Sequence, residues 1–447
     1  MPTYTPHTKQ DIDEMLAFIG LASIDELFSQ IPEAIKLQRE LELPPGLEEP
    51  EVRDLLFGLS GRNRDIGRDF ICFAGQGAFD REIPSVTRTL SSRSEFVTAY
   101  TPYQPEVAQG VLQALFEYQT MIARITGLEI SNASLYDGAS SLVEGINLSV
   151  AAAKNNRVAI SAGVHPNWRE VAITLAKGSG HEITVIPLKE GVTDFSQLDE
   201  GKYGCIVVAS PNHLGFLEDL KLAKQYSDEK SALLVQVFDP IAAAVLKSPG
   251  ENGADVAVGE GQPIGMALSF GGPYLGLFAC KESHVRRLPG RLVGETLDSK
   301  HKKAYVTTLR SREQDIRREK ASSNVCTNQT LMAVTAAIQM AWLGTDGIVE
   351  VAKKSANGAH YLVELLKEVG ISPIYDTPFL FEVALDLPLD PDLVIERMAD
   401  EGFLAGITCK SEITRGLEKD VLVVAVTEKR TRHEIESFVI TLGKAVQ

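Results

Sequence analysis

The chain has 447 residues, of which 60 are Asp or Glu and 44 are Lys or Arg, so its formal net charge is −16 at pH 7. A charge of this sign and size argues against nucleic acid and against anionic membrane surfaces as partners. With 44% hydrophobic and 23% charged residues the composition is that of a globular protein, and the length predicts more than one packed domain.

The cysteines argue against a disulfide framework and against a zinc site. None of the five lies in a C-x-x-C pair, and Cys205 and Cys280 sit inside apolar, strand-like runs. We therefore expect no bound metal, and we expect the reducing cytoplasm as the location.

The first region, residues 1–60, is predicted to be an N-terminal helical arm. Residues 8–59 show a charged helical pattern, which Pro44, Pro45 and Pro50 interrupt. A segment of this length is too small to bury a core of its own, so we expect an arm or cap rather than a domain.

The second region, residues 61–320, is predicted to be a large α/β domain. Short apolar runs alternate with helical patterns such as 167–176 and 217–226, which is typical of a mainly parallel sheet with helices on both faces. Ligands of such sheets bind beyond the carboxyl ends of the strands, so the residues after each run are candidate site residues. The runs are 157–161, 183–188, 205–209, 233–238, 255–258 and 274–280.

The third region, residues 321–447, is predicted to be a smaller α+β domain. It has long helical patterns and two strand-like runs, at 380–387 and 421–427.

Two groups of residues at predicted strand ends could belong to a ligand site. Gly138, Ala139 and Ser140 open a helical pattern behind Asp137, and free N–H groups at such a start can bind a phosphate. The same residues also fit an ordinary helix start, with Asp137 as the N-cap and small residues for close packing. Asp239 follows the 233–238 run, where it could pair with a protonated ring nitrogen or serve only the loop.

A glycine-rich stretch at 259–265 does not match a nucleotide-binding motif, because no G-x-G-x-x-G follows a first strand and no Walker lysine is present. Farther along, Gly271 and Gly272 are expected to serve tight backbone geometry.

The densest polar stretch includes Tyr100, Tyr103 and Gln104, just before a helix start at Pro105 and Glu106. These side chains fit a pocket lining and an ordinary capped loop equally well.

Basic residues cluster between positions 286 and 320, and they could dock an acidic partner or form a solvated helix face. They are Arg286, Arg287, Arg291, Arg310, Arg312, Arg317, Arg318 and Lys320.

Four strings of the chain are specific enough to compare with known families. They are Tyr100-Thr101-Pro102-Tyr103-Gln104-Pro105-Glu106, Asn132-Ala133-Ser134, Ser311-Arg312-Glu313-Gln314-Asp315-Ile316-Arg317-Arg318 and Ser323-Asn324-Val325-Cys326-Thr327. These strings resemble the glycine dehydrogenase (decarboxylating) P-protein family of the glycine cleavage system. The resemblance is to the N-terminal half of that enzyme, which in many bacteria is a separate subunit 1.

The resemblance implies a fold-type-I pyridoxal-phosphate-dependent transferase architecture, with a large α/β domain and a small C-terminal α+β domain. It implies decarboxylation of glycine, release of carbon dioxide and transfer of the aminomethyl group to the lipoyl arm of H-protein. The implied partners are glycine, lipoylated H-protein and a homologous subunit 2, and we expect two copies of each subunit.

The chain departs from active members of the fold at the cofactor-anchoring lysine. That lysine lies in the turn after the strand that follows the aspartate, but residues 258–269 contain no lysine. Lys247 lies well before this turn and Lys281 at the far end of the next strand, so neither is well placed. We therefore expect subunit 2 to bind pyridoxal phosphate covalently, and no catalytic residue on this chain alone.

The resemblance also assigns roles to residues that the patterns left open. Remnants of the ancestral cofactor positions are expected at Gly138, Ala139, Ser140 and Asp239. Completion of the partner's active site is expected from Tyr100, Tyr103 and Gln104. Docking of the partner or of H-protein is expected at Arg312, Arg317 and Arg318.

Two other functions fit the same sequence features. The chain could be a structural or regulatory scaffold with no side chain in any active site. It could also be a self-sufficient pyridoxal-phosphate enzyme that uses Lys281 or Lys247, because this architecture supports many reactions.

Overall fold

The computed structural model describes residues 6–447, so the first five residues of the predicted arm lie outside the described residues. The chain divides into two units, one ending at Asn63 and the other beginning at Arg64, and each is described by itself.

Within residues 6–63 the first unit contains two α-helices, α1 (Lys9–Ile19) and α2 (Glu49–Ser60). Helix α1 begins with a capping box, in which the Thr8 hydroxyl accepts from the Asp11 N–H. The expectation that Pro50 interrupts the helical pattern is wrong, because Pro50 lies in the first turn of α2. A proline is tolerated there since the first N–H groups of a helix have no intrahelical acceptor.

The second unit is built around a seven-stranded sheet with the order β1-β7-β6-β5-β4-β2-β3. All neighbouring strands are parallel except β7, which is antiparallel to both β1 and β6. The prediction of a mainly parallel sheet is therefore confirmed. The strands are β1 (Ile130–Ser131), β2 (Arg157–Ser161), β3 (Glu182–Ile186), β4 (Cys205–Ser210), β5 (Leu233–Phe238), β6 (Val256–Glu260) and β7 (Gly276–Cys280).

Ten further helices follow α2, and several of them cover the sheet. Ile146 of the sixth helix packs with Val235 and Val258 on one face, and Ala223 of the eighth packs with Ile206 on the other. The helices are α3 (Ser85–Ser91), α4 (Ser94–Val97), α5 (Gln109–Thr126), α6 (Gly138–Ala153), α7 (Pro166–Ser179), α8 (Leu220–Glu229), α9 (Gln314–Arg317), α10 (Thr330–Glu368), α11 (Pro391–Asp400) and α12 (Arg432–Ala445).

Helix α10 is bent at Gly344, where φ is 61° and ψ is −174°. Its length and apolar composition would also suit a membrane span. Ala333, Ala336 and Leu362 of this helix are fully buried in the largest hydrophobic cluster.

The chain ends in a second, antiparallel sheet with the order β10-β11-β13-β12. Its central strands lie within the two predicted runs, although the predicted domain boundary at residue 320 stays a prediction. A hairpin, β8 (Leu292–Leu297) and β9 (Lys303–Thr308), precedes it. The sheet consists of β10 (Ser372–Pro373), β11 (Glu382–Asp386), β12 (Ile407–Cys409) and β13 (Val421–Ala425).

Candidate functional site

A small cavity lies at the carboxyl ends of the parallel strands, where this class of sheet binds its ligands. We call it the strand-end cavity. Its volume is about 80 Å³, whereas pockets for small molecules and cofactors usually measure ~300–1,000 Å³. Its polar lining includes His165 after β2, His213 after β4, Asp239 after β5, Glu260 at the end of β6 and Glu382 at the start of β11.

The start of helix α6 lies beside Trp168 and Glu260 of this cavity, and two of its first three N–H groups have side-chain partners. The Gly138 N–H donates to Oε2 of Glu260 at 2.9 Å, and the Ser140 N–H donates to Oδ1 of Asp137 at 2.7 Å. A Cβ at position 138 would lie 2.1 Å from Cη2 of Trp168, so the indole covers Gly138 closely. In the structure Asp137 therefore acts as the N-cap of α6, and Gly138 allows close packing against Trp168.

Asp239 reaches the cavity but also holds its own loop. Its Oδ1 accepts hydrogen bonds of 2.8 Å from the N–H groups of Ile241 and Ala242. Burial raises the pKa of this carboxyl group. Asp239 thus lies directly after the carboxyl end of β5, as the sequence predicted.

The turn after β6, where the lysine was expected to be absent, is held by Gln262. This side chain is fully buried, and its Oε1 accepts from the Phe79 N–H at 2.8 Å. Its Nε2 donates to the carbonyl oxygens of Phe79 and Met266 at 3.0 and 2.8 Å. Gln262 thus fixes backbone around the cavity and has no polar atom left over for a ligand.

The two alternative lysines lie outside the lining of the strand-end cavity. Lys281 follows β7 at the opposite edge of the sheet, where its Nζ lies 2.6 Å from Oδ1 of Asp255. Lys247 is exposed and lines a neighbouring cavity of about 270 Å³, which shares Phe238 and Asp239 with the strand-end cavity. Among the described residues, no lysine lines the strand-end cavity.

The two histidines of the cavity are neutral at physiological pH. Burial lowers the pKa of His213 to about 3, and its ring nitrogens lie 3.0 Å from the Gly163 carbonyl and from the Thr414 hydroxyl. Burial, together with nearby Arg169, lowers the pKa of His165 to about 4. Neither side chain supplies a positive charge for an anion.

These residues do not fit covalently bound pyridoxal phosphate. The cavity is too small, and it has no amine to attack the aldehyde. A phosphate at the start of α6 would meet the carboxyl groups of Glu260 and Asp137 rather than free N–H groups.

A second cavity, of about 260 Å³, brings together three of the four strings singled out in the sequence. We call it the loop cavity. Its lining includes Tyr103, Glu313 and Cys326, and Arg291 connects them. The Arg291 guanidinium lies 4.7 Å from the centre of the Tyr103 ring, and its Nη2 donates to the Cys326 carbonyl at 2.9 Å.

The loop cavity is rich in charge. Arg310 pairs with Asp315 at 2.6 Å. Burial raises the pKa of Glu313, and within the described part of the chain its Oε1 has no hydrogen-bond partner. A carboxyl group beside Arg291 and Arg310 offers a polar lining for a small ligand or for an incoming loop.

The predicted residues differ in their surroundings. Tyr100, Tyr103 and Gln104 are all exposed, and of the three Tyr103 lines the loop cavity. Arg312 is half-buried and donates to the Leu288 carbonyl, while Arg317 and Arg318 are exposed.

Sequence patterns missed Glu260, Trp168 and Glu382 as cavity residues. Glu260 stands in the glycine-rich stretch, which drew attention only for its backbone, and its position at a strand end was the available signal. Glu382 begins a strand of the C-terminal sheet, and no local pattern links it to the strand ends of the other sheet.

The chain is similar to known proteins over nearly its whole length. Residues 2–442 match the family model of the glycine cleavage system P-protein. A probable glycine dehydrogenase (decarboxylating) subunit 1 from Carboxydothermus hydrogenoformans is 43% identical over 445 residues, covering 98% of this chain and 99% of that protein. The protein of the same description from Moorella thermoacetica is 43% identical over 446 residues, covering 98% and 99%.

Solved structures give the same result. A crystal structure of glycine decarboxylase (P-protein) of the glycine cleavage system, in inhibitor-bound form, has a TM-score of 0.90 at 43% identity and covers 99% of this chain and 100% of that one. Glutamate decarboxylase from Lactobacillus brevis has a TM-score of 0.67 at 14% identity, covering 94% and 97%, and shares the fold alone. The predicted fold class is confirmed, and the chain belongs to the glycine cleavage system P-protein family, as a subunit 1 of glycine dehydrogenase (decarboxylating).

Proposed function

We propose that this chain is the half of a two-chain glycine decarboxylase that does not anchor the cofactor. Its partner is a homologous subunit 2, which carries the anchoring lysine and binds pyridoxal phosphate covalently. Bound there, pyridoxal phosphate would supply the electron sink that decarboxylation of glycine requires. The complex then passes the aminomethyl group to the lipoyl arm of H-protein.

The observation that carries the proposal is the strand-end cavity. The turn after β6 is lysine-free and held by Gln262, and the cavity measures about 80 Å³. A chain of this family with no room for the cofactor needs another chain to supply it. The word "subunit" in the descriptions of its relatives supports such a partner.

Covalent labelling tests this division of labour. Each chain alone and the mixture of both would be incubated with pyridoxal phosphate, reduced with borohydride and mapped by mass spectrometry. We expect label only on subunit 2, and glycine-dependent exchange of carbon dioxide only in the mixture. Label on Lys247 or Lys281 of this chain, with activity of the chain alone, would contradict the proposal.

The loop cavity is where this chain contributes to the shared site. Tyr103 stacks on Arg291, and both line the cavity with the Glu313 Oε1, which has no hydrogen-bond partner among the described residues. These three side chains form a partly exposed group that is held in place, so they could form one wall of a site that a second chain closes. Tyr100 and Gln104, which are exposed on the same loop, would contact the partner around it.

Replacing Tyr103 is the first of our predictions. Tyr103→Ala removes the ring over Arg291 and should lower turnover of the assembled complex about tenfold or more, while Tyr103→Phe should retain turnover if the ring is what matters. Steady-state kinetics would be measured on complexes whose mass is verified by sedimentation. A loss of assembly with unchanged kinetics of the remaining complex would favour the purely structural scaffold.

Docking of H-protein is the second prediction. Arg317 and Arg318 are exposed, whereas Arg312 is held by Leu288, so only the first two are available to an acidic partner. Arg317→Gln with Arg318→Gln should weaken H-protein binding and reduce its salt dependence, measured by titration at several ionic strengths. Arg432→Gln on α12, whose side chain is 81% exposed, is the matched control. An unaltered salt slope in the double variant would reject this docking site.

The same proposal includes the cytoplasm as location and two copies of each subunit. Sedimentation equilibrium of the mixed chains measures the second of these directly.

A further inference from the structure

Glu260 is a buried carboxyl group with three backbone partners. Its Oε2 accepts from the Gly138 N–H at 2.9 Å, and its Oε1 accepts from the N–H groups of Gln262 and Leu275 at 2.9 and 3.0 Å. The residue is 8% exposed. One carboxylate thus connects the start of α6 with the turn after β6 and the entry to β7.

The partners of Glu260 are those that an anion needs. The first N–H groups of a helix point outward without acceptors and carry partial positive charge, so they favour an anion. Helix α6 spans Gly138–Ala153, long enough for a substantial dipole. All three donors are main-chain groups, which have no alternative rotamer and are destabilising when buried without an acceptor.

We propose that the Glu260 carboxylate is a built-in replacement for the phosphate of a cofactor, filling the anion position at the start of α6 from within the chain. Beyond its Cβ the side chain has four heavy atoms, and a phosphate has five, so the two occupy similar space. The inference rests on the proposed function only in that this chain does not anchor the cofactor, and its test involves neither glycine nor subunit 2.

The proposal predicts that removing the carboxylate opens an anion site. Glu260→Ala leaves the three N–H groups without an acceptor, and inorganic phosphate should bind there and restore stability. Trp168 lies against Gly138 and is one of only two tryptophans. The other, Trp342, is 60% exposed, so Trp342→Phe leaves Trp168 as the sole tryptophan, whose emission can be excited selectively over that of the tyrosines.

The experiment titrates inorganic phosphate into the full chain carrying Trp342→Phe, with and without Glu260→Ala. It is run at pH 8, because burial raises the pKa of Glu260 to about 7 and the wild-type carboxylate is then mainly ionised. We expect a saturable change in Trp168 emission and a rise in melting temperature only with Glu260→Ala. In phosphate-free buffer this variant should melt a few degrees below its parent.

The matched control removes a carboxylate from another helix start. Asp219 caps α8 by accepting from the Leu222 N–H at 2.9 Å, but it is not bonded to distant backbone. Asp219→Ala should show only the non-specific effect of phosphate that its parent also shows. An equal phosphate response in parent, control and Glu260→Ala would overturn the proposal.

A second variant keeps the test decisive if Glu260→Ala does not fold. Glu260→Gln retains one acceptor oxygen for Gln262 and Leu275 but removes the anion from the start of α6. Hydrogen exchange of the Gly138 amide should then accelerate about tenfold or more relative to wild type at pH 8. Unchanged exchange would mean that the carboxylate does not hold this helix start.

Discussion

Glu382 shows what burial does to a single carboxyl group at the strand-end cavity. It is 6% exposed, and its Oε1 accepts from the Gln76 N–H at 2.6 Å. Burial, with Asp239 nearby and despite Arg81, raises its pKa to about 8. Glu382 is therefore largely protonated near neutral pH, whereas Glu260, whose pKa is about 7, is partly ionised, and neither carboxyl group offers an anionic cofactor a positive charge.

This shift predicts a pH dependence of stability, the third prediction. In the unfolded chain Glu382 loses its proton near its ordinary pKa of 4.5, whereas in the folded chain it keeps the proton until about pH 8. Its contribution is therefore fully present below pH 4.5 and is lost as the pH rises through 8, by up to a few kcal/mol.

Urea unfolding at several pH values between 5 and 8 measures the effect. Glu382→Gln keeps an oxygen for the Gln76 N–H but cannot ionise, so its free energy of unfolding should fall less steeply with pH than that of the wild type. Glu260 contributes in the same direction and remains in both proteins. Glu401→Gln, at an exposed position, is the control and should parallel the wild type.

At the scale of elements, helix α10 depends on one glycine for its bend. Gly344 adopts φ 61° and ψ −174°, a region that residues with a Cβ essentially do not occupy. The bend lets the two halves of α10 follow different parts of the core, with Met340 before it and Ala352 after it both buried. A straight helix would move one of these halves out of the hydrophobic cluster that contains both Met340 and Ala352.

The fourth prediction is that Gly344→Ala lowers the free energy of unfolding by ~1–3 kcal/mol, because the left-handed backbone is strained for alanine. The midpoint of urea unfolding measures it. Gly178→Ala in α7 is the control, since its backbone is helical and no atom lies within 4 Å of the added Cβ. Gly178→Ala should raise the free energy of unfolding by up to ~1 kcal/mol. If the free energy of unfolding changed in the same direction in both variants, the explanation by backbone strain at Gly344 would be contradicted.

At the scale of the whole molecule, the surface suggests which face a second chain covers. Phe270 is 101% exposed at the tip of the loop that connects β6 with β7, at the same edge of the sheet as the strand-end cavity. Its φ of 52° lies in the left-handed region, which is unusual for an aromatic residue. An exposed aromatic side chain in such a conformation is a good anchor for an interface.

We expect, as the fifth prediction, that Phe270→Ser weakens pairing with subunit 2 about 10- to 100-fold, which corresponds to the ~1.5–3 kcal/mol of burying a phenylalanine. Sedimentation velocity over a concentration series measures the affinity. Ile440→Ser on α12, which is 59% exposed, is the control and should pair normally. Equal affinities of both variants would place Phe270 outside the interface.

The order of the elements could be predicted from the sequence because it depends on local properties. Strands β2 and β5 have the predicted bounds, and α7 and α8 overlap the predicted helices, since apolar runs and helical periodicity are properties of neighbouring residues. The lysine-free stretch at 258–269 is likewise a fact of the sequence. Gly271 and Gly272, with φ of 107° and 135°, have the special backbone that was predicted for them.

The tertiary structure alone decided which side chains meet. The Glu260 carboxylate reaches the Gly138 N–H across 122 residues, and this contact exists because the sheet order brings β6 beside the start of α6. Tyr103 meets Arg291 and Cys326 in one cavity, whereas its neighbours Tyr100 and Gln104 do not line that cavity. Local patterns fix the elements, but contacts between distant residues depend on the order of the strands and on packing, which no short stretch of sequence contains.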